Sequence, residues 1–155
     1  MAKVNPVRAT EINLHAIQGR LDRAEAEAVK GNDKGVEDAL QEYEKLRQFG
    51  EEISSSAGMR GQNTRAVDEM NARATAGHLE TLGSIYGNVP QETKDAVEQA
   101  MGVAVADHGE AVQGLQQQGA QGDIPTEPPL PNDLPDDVKK NIQGSGSKGS
   151  GNGRE

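Results

Sequence analysis

The sequence predicts an all-α fold: a four-helix bundle, or two packed antiparallel helical hairpins, with a disordered Pro/Gly/Ser-rich C-terminal tail. Two observations lead to the helical part of this prediction. Apolar residues recur at intervals of three and four in four long segments, which is the spacing that lines one face of a helix. Glycine, asparagine and proline divide these segments into two pairs. Because neither pair can bury its apolar face alone, we expect the hairpins to pack together as a bundle or as an elongated coiled assembly.

The first hairpin is predicted over residues 9–55. Its first helix covers about residues 9–30 and ends at Gly31, since glycine readily takes the left-handed conformation that follows a helix. Asn32 or Asp33 then caps the second helix, because a short polar side chain can accept the unpaired N–H groups of the first turn.

The second hairpin is predicted over residues 62–118. Gly87 supplies the positive φ that ends its first helix, and Pro90, with a fixed φ and no N–H, suits the first turn of the next. Between the two hairpins, the small-residue run SSSAGMRG at 54–61 is either a loop or a helical interruption. The sequence leaves open whether the second and third helices are continuous.

The two ends of the chain differ from its middle. Residues 119–155 contain several closely spaced prolines, followed by GSGSKGSGNGRE. This composition has too little apolar surface to fold alone. This composition predicts a flexible tail, and residues 1–8 are predicted to form an N-terminal arm. The exception is the spacing of Leu134, Val138 and Ile142, which allows a short docking helix, although such spacing over two turns arises easily by chance.

The predicted core follows the apolar stripes of the four helices. Only 2% of the residues are aromatic, so aliphatic side chains must supply most of the packing. The predicted core residues are Leu14, Ile17, Leu21, Leu40, Tyr43, Leu46, Phe49, Leu82, Ile85, Val97, Met101 and Leu115.

Charge and composition exclude several classes of function. A net charge of −9 counts against binding nucleic acid or anionic lipid, since both attract basic surfaces. No run of about 18 apolar residues exists, so no transmembrane segment is predicted in this chain. The absence of cysteine removes disulfides and thiolate chemistry. The first residues lack the apolar stretch of a signal peptide, so either a leader was removed or the protein is a soluble relative.

Histidines and nearby carboxylates are the candidate metal ligands, because imidazole and carboxylate groups bind divalent ions. The candidates are His78, His108, Asp107 and Glu110. At a rise of about 1.5 Å per residue, His78 and His108 lie at heights along the hairpin that differ by about 12 Å. The two histidines can therefore share one ion only with the help of a second chain. His15 falls opposite the apolar stripe of its helix. We therefore favour structural histidines that make ordinary hydrogen bonds at the edges of the core, with no metal and no cofactor.

The motifs of common enzyme classes are missing from the sequence. It has no phosphate-cradling glycine loop of the P-loop type, no H-E-x-x-H pair and no E-x-x-H pair of the di-iron bundles. Carboxylates are plentiful, but on amphipathic helices they usually form a solvated face. The sequence therefore predicts a protein that is not an enzyme.

One stretch carries a resemblance to a known family. The wording HLETLGSIYGNVPQETKDAVEQA, which begins at His78, and the later His108 resemble a bacterial helical domain family of unknown function found in extracytoplasmic proteins. INLHAIQGRLDRAEAEAVKGN and EDALQEYEKL resemble the first hairpin of that family, so the resemblance covers roughly residues 11–115. Asp107 replaces the glycine that the family usually has before its last histidine, and the hydrophobic leader is absent. The resemblance implies two helical hairpins and an extracytoplasmic location, but it implies no activity.

From these observations we expect a non-enzymatic helical interaction or regulatory module of the cell envelope. Its partner would be another protein or a second copy of the chain, bound at the groove between the hairpins or through faces of small residues. The alternative is an envelope protein that binds or senses metal or stress, with His78 and His108 joined in an oligomer. The expected location is extracytoplasmic, either secreted or membrane-anchored, with the cytoplasm as the alternative.

Overall fold

The protein is built from helices packed in antiparallel pairs. The structure, a computed structural model, describes residues 5–59, 64–120, 122, 124–125, 130 and 134–146. Within these ranges it contains no strand, which confirms the predicted all-α fold. The helices are α1 (Pro6–Lys30), α2 (Asp33–Met59), α3 (Arg65–Tyr86), α4 (Gln91–Gln117) and α5 (Asp136–Gly146).

The start of α1 lies earlier than predicted. Asn5 Oδ1 accepts hydrogen bonds from the backbone N–H groups of Val7 at 3.0 Å and Arg8 at 3.3 Å. Pro6 occupies the first helical position, where its fixed φ fits and its missing N–H is no loss. Residues 6–8, predicted as part of an arm, therefore belong to α1, and the Asn-Pro pair is the sequence signal for this start.

The turn between α1 and α2 agrees with its prediction. Gly31 has a φ of 80° and donates its N–H to the Ala28 carbonyl at 3.1 Å. Asn32 caps α2, because its Oδ1 accepts the Gly35 N–H at 3.1 Å. At its other end α2 continues through the small residues to Met59, and residues 60–63 lie outside the described residues. Helices α2 and α3 are separate elements.

The turn between α3 and α4 is made differently from the prediction. Gly87 has a φ of −72°, in the right-handed region, so the expected positive φ is wrong. Asn88 ends the helix instead: its side-chain amide donates to the Ser84 carbonyl at 2.9 Å. Pro90 is extended and lies just before α4 rather than in its first turn. An amide that binds the last carbonyls removes the need for a left-handed glycine.

The hairpins α1–α2 and α3–α4 pack mainly through α1 against α3. Helices α2 and α4 contact each other at fewer positions, and α5 lies against α4. None of the described helices is both long and apolar enough to cross a membrane. The weaker α2–α4 contact leaves room between the hairpins for the polar region described below.

The main core lies among all five helices, and a smaller one joins α3, α4 and Ile124. Leu14 and Leu46 are partly buried and pack against the main core. The other predicted core residues that are buried are Ile17, Leu21, Leu40, Tyr43, Leu82, Ile85, Val97, Met101 and Leu115.

Phe49 is the predicted core residue that the structure contradicts, since 54% of its surface is exposed. The inward face of α2 passes from Tyr43 through Arg47 and Gly50, at steps of four and three. Polar and small residues occupy this face near the end of the helix, so the apolar spacing that includes Phe49 rotates towards solvent. The interior of a bundle need not follow the apolar stripe where it encloses a polar cavity.

Part of the segment predicted as a flexible tail is helical and packed. Leu134, Val138 and Ile142 are buried in the main core, with exposed fractions of 5%, 8% and 2%. The docking helix that their spacing allows is therefore present as α5. The remaining residues after Gly146 lie outside the described residues.

We expect Ile142→Ala to lower the free energy of unfolding by about 2 to 5 kcal/mol, because it opens a cavity in the core. Urea denaturation followed by circular dichroism measures this difference. Lys140→Ala, an exposed position on the same helix, is the matched control and should change stability by less than about 0.5 kcal/mol. Equal effects of the two substitutions would show that α5 does not pack as described.

Candidate functional site

A polar cavity of about 470 Å³ lies between α1, α2, α3 and α4. It is lined by residues within 13–17 of α1, 43–55 of α2, 68–78 of α3 and 107–111 of α4. This placement puts the cavity at the end of the bundle away from the two helix turns. Main-core side chains fill the turn end of the bundle, whereas polar side chains face the cavity at the other end.

A close approach of α1 to α2 forms one wall of the cavity. The buried side chain of Asn13 donates from Nδ2 to the Leu46 carbonyl at 2.8 Å. A Cβ atom added at Gly50 would lie 2.7 Å from Asn13 Oδ1, so the asparagine side chain would have to move and its hydrogen bond to Leu46 would be disturbed. The glycine and the asparagine therefore fix the spacing of α1 and α2 beside the cavity.

His78 and Tyr43 form the buried base of the cavity. Their exposed fractions are 3% and 1%, and their rings meet edge to face with centroids 6.0 Å apart. Both line the cavity, and their polar atoms are open to it rather than sealed in the core without a partner. These two groups are therefore free to bind something that enters the cavity.

Burial also sets the protonation of these two groups. It lowers the pKa of His78 to about 4, so the imidazole is neutral and keeps a lone pair at neutral pH. It raises the pKa of the Tyr43 hydroxyl far above its ordinary value, and the nearby Asp107 carboxylate acts in the same direction. Tyr43 therefore offers a hydroxyl proton, while His78 offers an acceptor nitrogen.

Arg47 connects α2 to α4 at the edge of the cavity. Its Nε donates to Asp107 Oδ2 at 3.0 Å, and its Nη2 donates to Glu51 Oε2 at 2.8 Å. The Arg47 and Asp107 side chains are each only 18% exposed. Burial acts to lower the pKa of Arg47, but the carboxylates of Asp107, Glu51 and Glu44 raise it overall, so the guanidinium stays charged.

Among the carboxyl groups that line the cavity, Asp107 has a pKa that is strongly raised. Burial raises its pKa to about 7, and the charge and hydrogen bond of Arg47 offset only part of this effect. The carboxylates of Glu51 and Glu110 raise the pKa further, because an additional negative charge close to them is unfavourable. Near neutral pH, Asp107 therefore exchanges between its protonated and ionised forms.

Carboxylates dominate the charge of the cavity wall. Asp68, Glu51, Asp107 and Glu110 line it together with a single cation, Arg47. One oxygen from each of Glu51, Asp107 and Glu110 lies within 4.8 Å of the others. The cavity is therefore acidic and suited to a positively charged occupant.

The structure separates the two histidines that were candidate metal ligands. His78, Asp107 and Glu110 line the same cavity, but His108 does not. His108 is 1% exposed; its Nδ1 lies 3.0 Å from both the Thr75 hydroxyl and the Ala72 carbonyl oxygen, and its Nε2 lies 2.9 Å from the Pro125 carbonyl oxygen.

The expected hydrogen bonds at the edges of the core fit neither histidine fully. Both rings are deeply buried rather than peripheral, and only His108 makes such bonds. Since both ring nitrogens of His108 are engaged, it has no nitrogen left for a metal ion.

Arg47 and Glu51 are two of the cavity residues that the sequence patterns do not single out. Together with Tyr43 they are spaced by four residues along α2, which places all three side chains on one helix face. A stripe that passes from a buried tyrosine to charged residues is the signal for a polar cavity. The apolar spacing assigns Tyr43 to the core, and carboxylates on amphipathic helices usually form a solvated face.

Acid should weaken the fold through His78. The imidazole has an ordinary pKa of 6.5, whereas burial lowers it to about 4 in the folded chain. Between these pH values the unfolded chain binds more protons at this position, so lowering the pH favours unfolding. We expect His78→Phe to gain stability relative to the natural protein as pH falls from 6.5 to 4.

Urea denaturation at a series of pH values measures this difference. Asp107 contributes the opposite slope in both proteins, because stability linked to its raised pKa is present at low pH and lost as pH rises to about 7. Subtracting the two curves therefore isolates His78. A difference that stays constant from pH 6.5 to 4 would contradict the buried, neutral imidazole.

Comparisons with known proteins provide no evidence on the function of this chain. No protein-family model, curated protein or solved structure matches this chain. The family resemblance therefore rests on the residues that suggest it.

Proposed function

We propose that this protein is a non-enzymatic binding module that takes a small cationic ligand into the cavity between its hairpins. The observation that carries the proposal is the pair of largely buried side chains, His78 and Tyr43, that line an acidic cavity and have polar atoms open to it. Ligand sites in helix bundles are typically built this way, from inward side chains of facing helices.

The charge of the walls selects the class of ligand. Four carboxyl groups and one guanidinium line the cavity, so an anion would meet net repulsion and a cation net attraction. Partial burial strengthens this attraction, because fewer water molecules screen the charges. The neutral imidazole of His78 adds an acceptor nitrogen, and the Tyr43 hydroxyl adds a polar contact at the base.

The absence of an activated nucleophile in the described part of the cavity supports a binding role over catalysis. The Thr75 hydroxyl contacts His108, which resembles a nucleophile beside a base. However, the hydroxyl also lies 2.8 Å from the Asn71 carbonyl, to which it donates along its own helix. A hydroxyl whose proton is held by a backbone carbonyl is a poor nucleophile.

Ligand binding in the cavity could change the relative position of the two hairpins, and this change would couple binding to regulation. Carboxylates on both α2 and α4 face the cavity, and these helices contact each other less than α1 and α3 do. A bound cation would neutralise carboxylates on both sides and draw α2 and α4 together. The surface that the hairpins present to a protein partner, or to a second copy, would then depend on the ligand. An envelope location follows from the family resemblance and is part of the proposal.

Probes of three charge classes test the ligand class. We expect putrescine or Mn²⁺ to raise the melting temperature at low ionic strength, and neutral glucose and anionic succinate to leave it unchanged. A ligand at 100 times its dissociation constant stabilises the folded state by about 2.7 kcal/mol. Differential scanning fluorimetry measures the shift.

Two variants make this test specific to the cavity. His78→Phe removes the acceptor nitrogen at the base of the cavity and should abolish the shift, whereas Glu92→Gln removes an exposed carboxylate outside it and should keep the shift. Shifts of the same size in His78→Phe and the natural protein would place the cation on the outer surface. The absence of a shift with either cation would overturn the proposed function.

A further inference from the structure

We propose that the outer face of the α1–α2 hairpin, where Ile12 and Phe49 are exposed, binds a second copy of this chain in a two-fold antiparallel contact. The contact forms independently of a ligand in the cavity. Ile12 is 60% exposed and Phe49 is 54% exposed. Phe49 is the single phenylalanine of the chain, and both tyrosines are buried. Large apolar side chains that are exposed next to each other mark an interaction surface.

The packing of α1 against α2 places Ile12 and Phe49 side by side. Asn13 and Gly50 face each other across this contact, since a Cβ atom added at Gly50 would lie 2.7 Å from Asn13 Oδ1. Ile12 and Phe49 each precede one of these facing residues, and a step of one residue turns a side chain by about 100° around its helix. Because the two helices run antiparallel, these equal turns bring both side chains to the same side of the hairpin.

Three partly exposed apolar residues extend this surface. Ile53 lies four residues after Phe49, while Ala9 and Ala16 lie three residues before and four residues after Ile12. These spacings keep the side chains on one face of each helix. We call the five residues the hairpin patch. None of them lines the cavity, so the patch is a separate surface. Its two alanines leave room for the close approach of another helix.

Two charged residues on α2 indicate what covers the hairpin patch. Lys45 lies four residues before Phe49 and Glu52 lies three residues after it, so opposite charges flank the phenylalanine on the same side of the helix. Both side chains are exposed, and neither forms an ion pair with another described residue.

A second α2 helix that crosses Phe49 in the antiparallel direction matches these charges. Each Lys45 then lies opposite the Glu52 of the other copy, whereas a parallel crossing would bring like charges together. The face is therefore complementary to itself, as a two-fold interface requires. The net charge of −9 opposes the association of two chains, so the apolar residues of the hairpin patch must supply most of the attraction.

Sedimentation velocity on the full chain tests the contact. At about 0.15 M NaCl the Debye length is about 8 Å, which screens the net charges of the two chains. A concentration series from about 1 µM to about 1 mM covers the dissociation constants of weak interfaces. We expect a monomer–dimer equilibrium that Phe49→Ala weakens about tenfold or more, because aromatic residues dominate such contacts. Val29→Ala is the matched control: it removes an apolar side chain that is 71% exposed but lies outside the hairpin patch, and should leave the equilibrium unchanged.

Charge reversal tests the antiparallel direction. Lys45→Glu and Glu52→Lys should each weaken the dimer several-fold, because each places like charges opposite one another, and the double variant should recover most of the affinity. These positions are exposed, so we expect unchanged helical circular dichroism. A chain that stays monomeric throughout the series would overturn the proposal. A dimer that Phe49→Ala weakens no more than Val29→Ala, or that the double variant does not restore, would also overturn it.

Discussion

The ion pair between Arg47 and Asp107 is the interaction around which the cavity between the two hairpins is built. It joins α2 to α4, the helices that share few other contacts, and both side chains are mostly buried. Removing water from two charges is costly, and their attraction compensates only while both partners are present. The pair therefore holds the hairpins at a separation that leaves the cavity between them. Its position explains why the interior stays polar there while the turn end of the bundle is packed with apolar side chains.

On the proposed function, the arrangement sacrifices some stability so that the cavity can bind a ligand. An imidazole and a phenol that face the cavity, a mostly buried ion pair and further carboxylates occupy inward positions that aliphatic residues could fill. Natural proteins rarely sit at their stability optimum, and strained or unsatisfied groups collect where function requires them. The smaller core of α3 and α4, the main core and α5 supply the apolar burial that this interior lacks.

Most of the helices could be predicted from the sequence because local spacing and turn chemistry determine them. Gly31 and Asn32 were recognised from their residue types, and Leu82 and Ile85 from their spacing. Phe49 was misplaced because apolar spacing was assumed to mark the interior, whereas the cavity puts Arg47 there.

The long-range contacts could not be read from the sequence in this way. The pairing of Arg47 with Asp107 joins positions 60 residues apart, and nothing in either local pattern reveals it. His108 binds the Pro125 carbonyl, which belongs to the segment predicted as a tail. The spacing of Leu134, Val138 and Ile142 was ambiguous over two turns, and only their packing against the main core resolves it.

The most direct measurement is the stability of a variant whose cavity groups are made apolar. Arg47→Met, Asp107→Leu and His78→Leu together replace the ion pair and the imidazole with side chains that can pack against each other. If the polar cavity exists for binding, the free energy of unfolding should be unchanged or higher, by up to about 4 kcal/mol, since apolar replacements of buried ion pairs are often stabilising. A loss of more than about 2 kcal/mol would show that these groups hold the fold together, and would contradict a site maintained for a ligand.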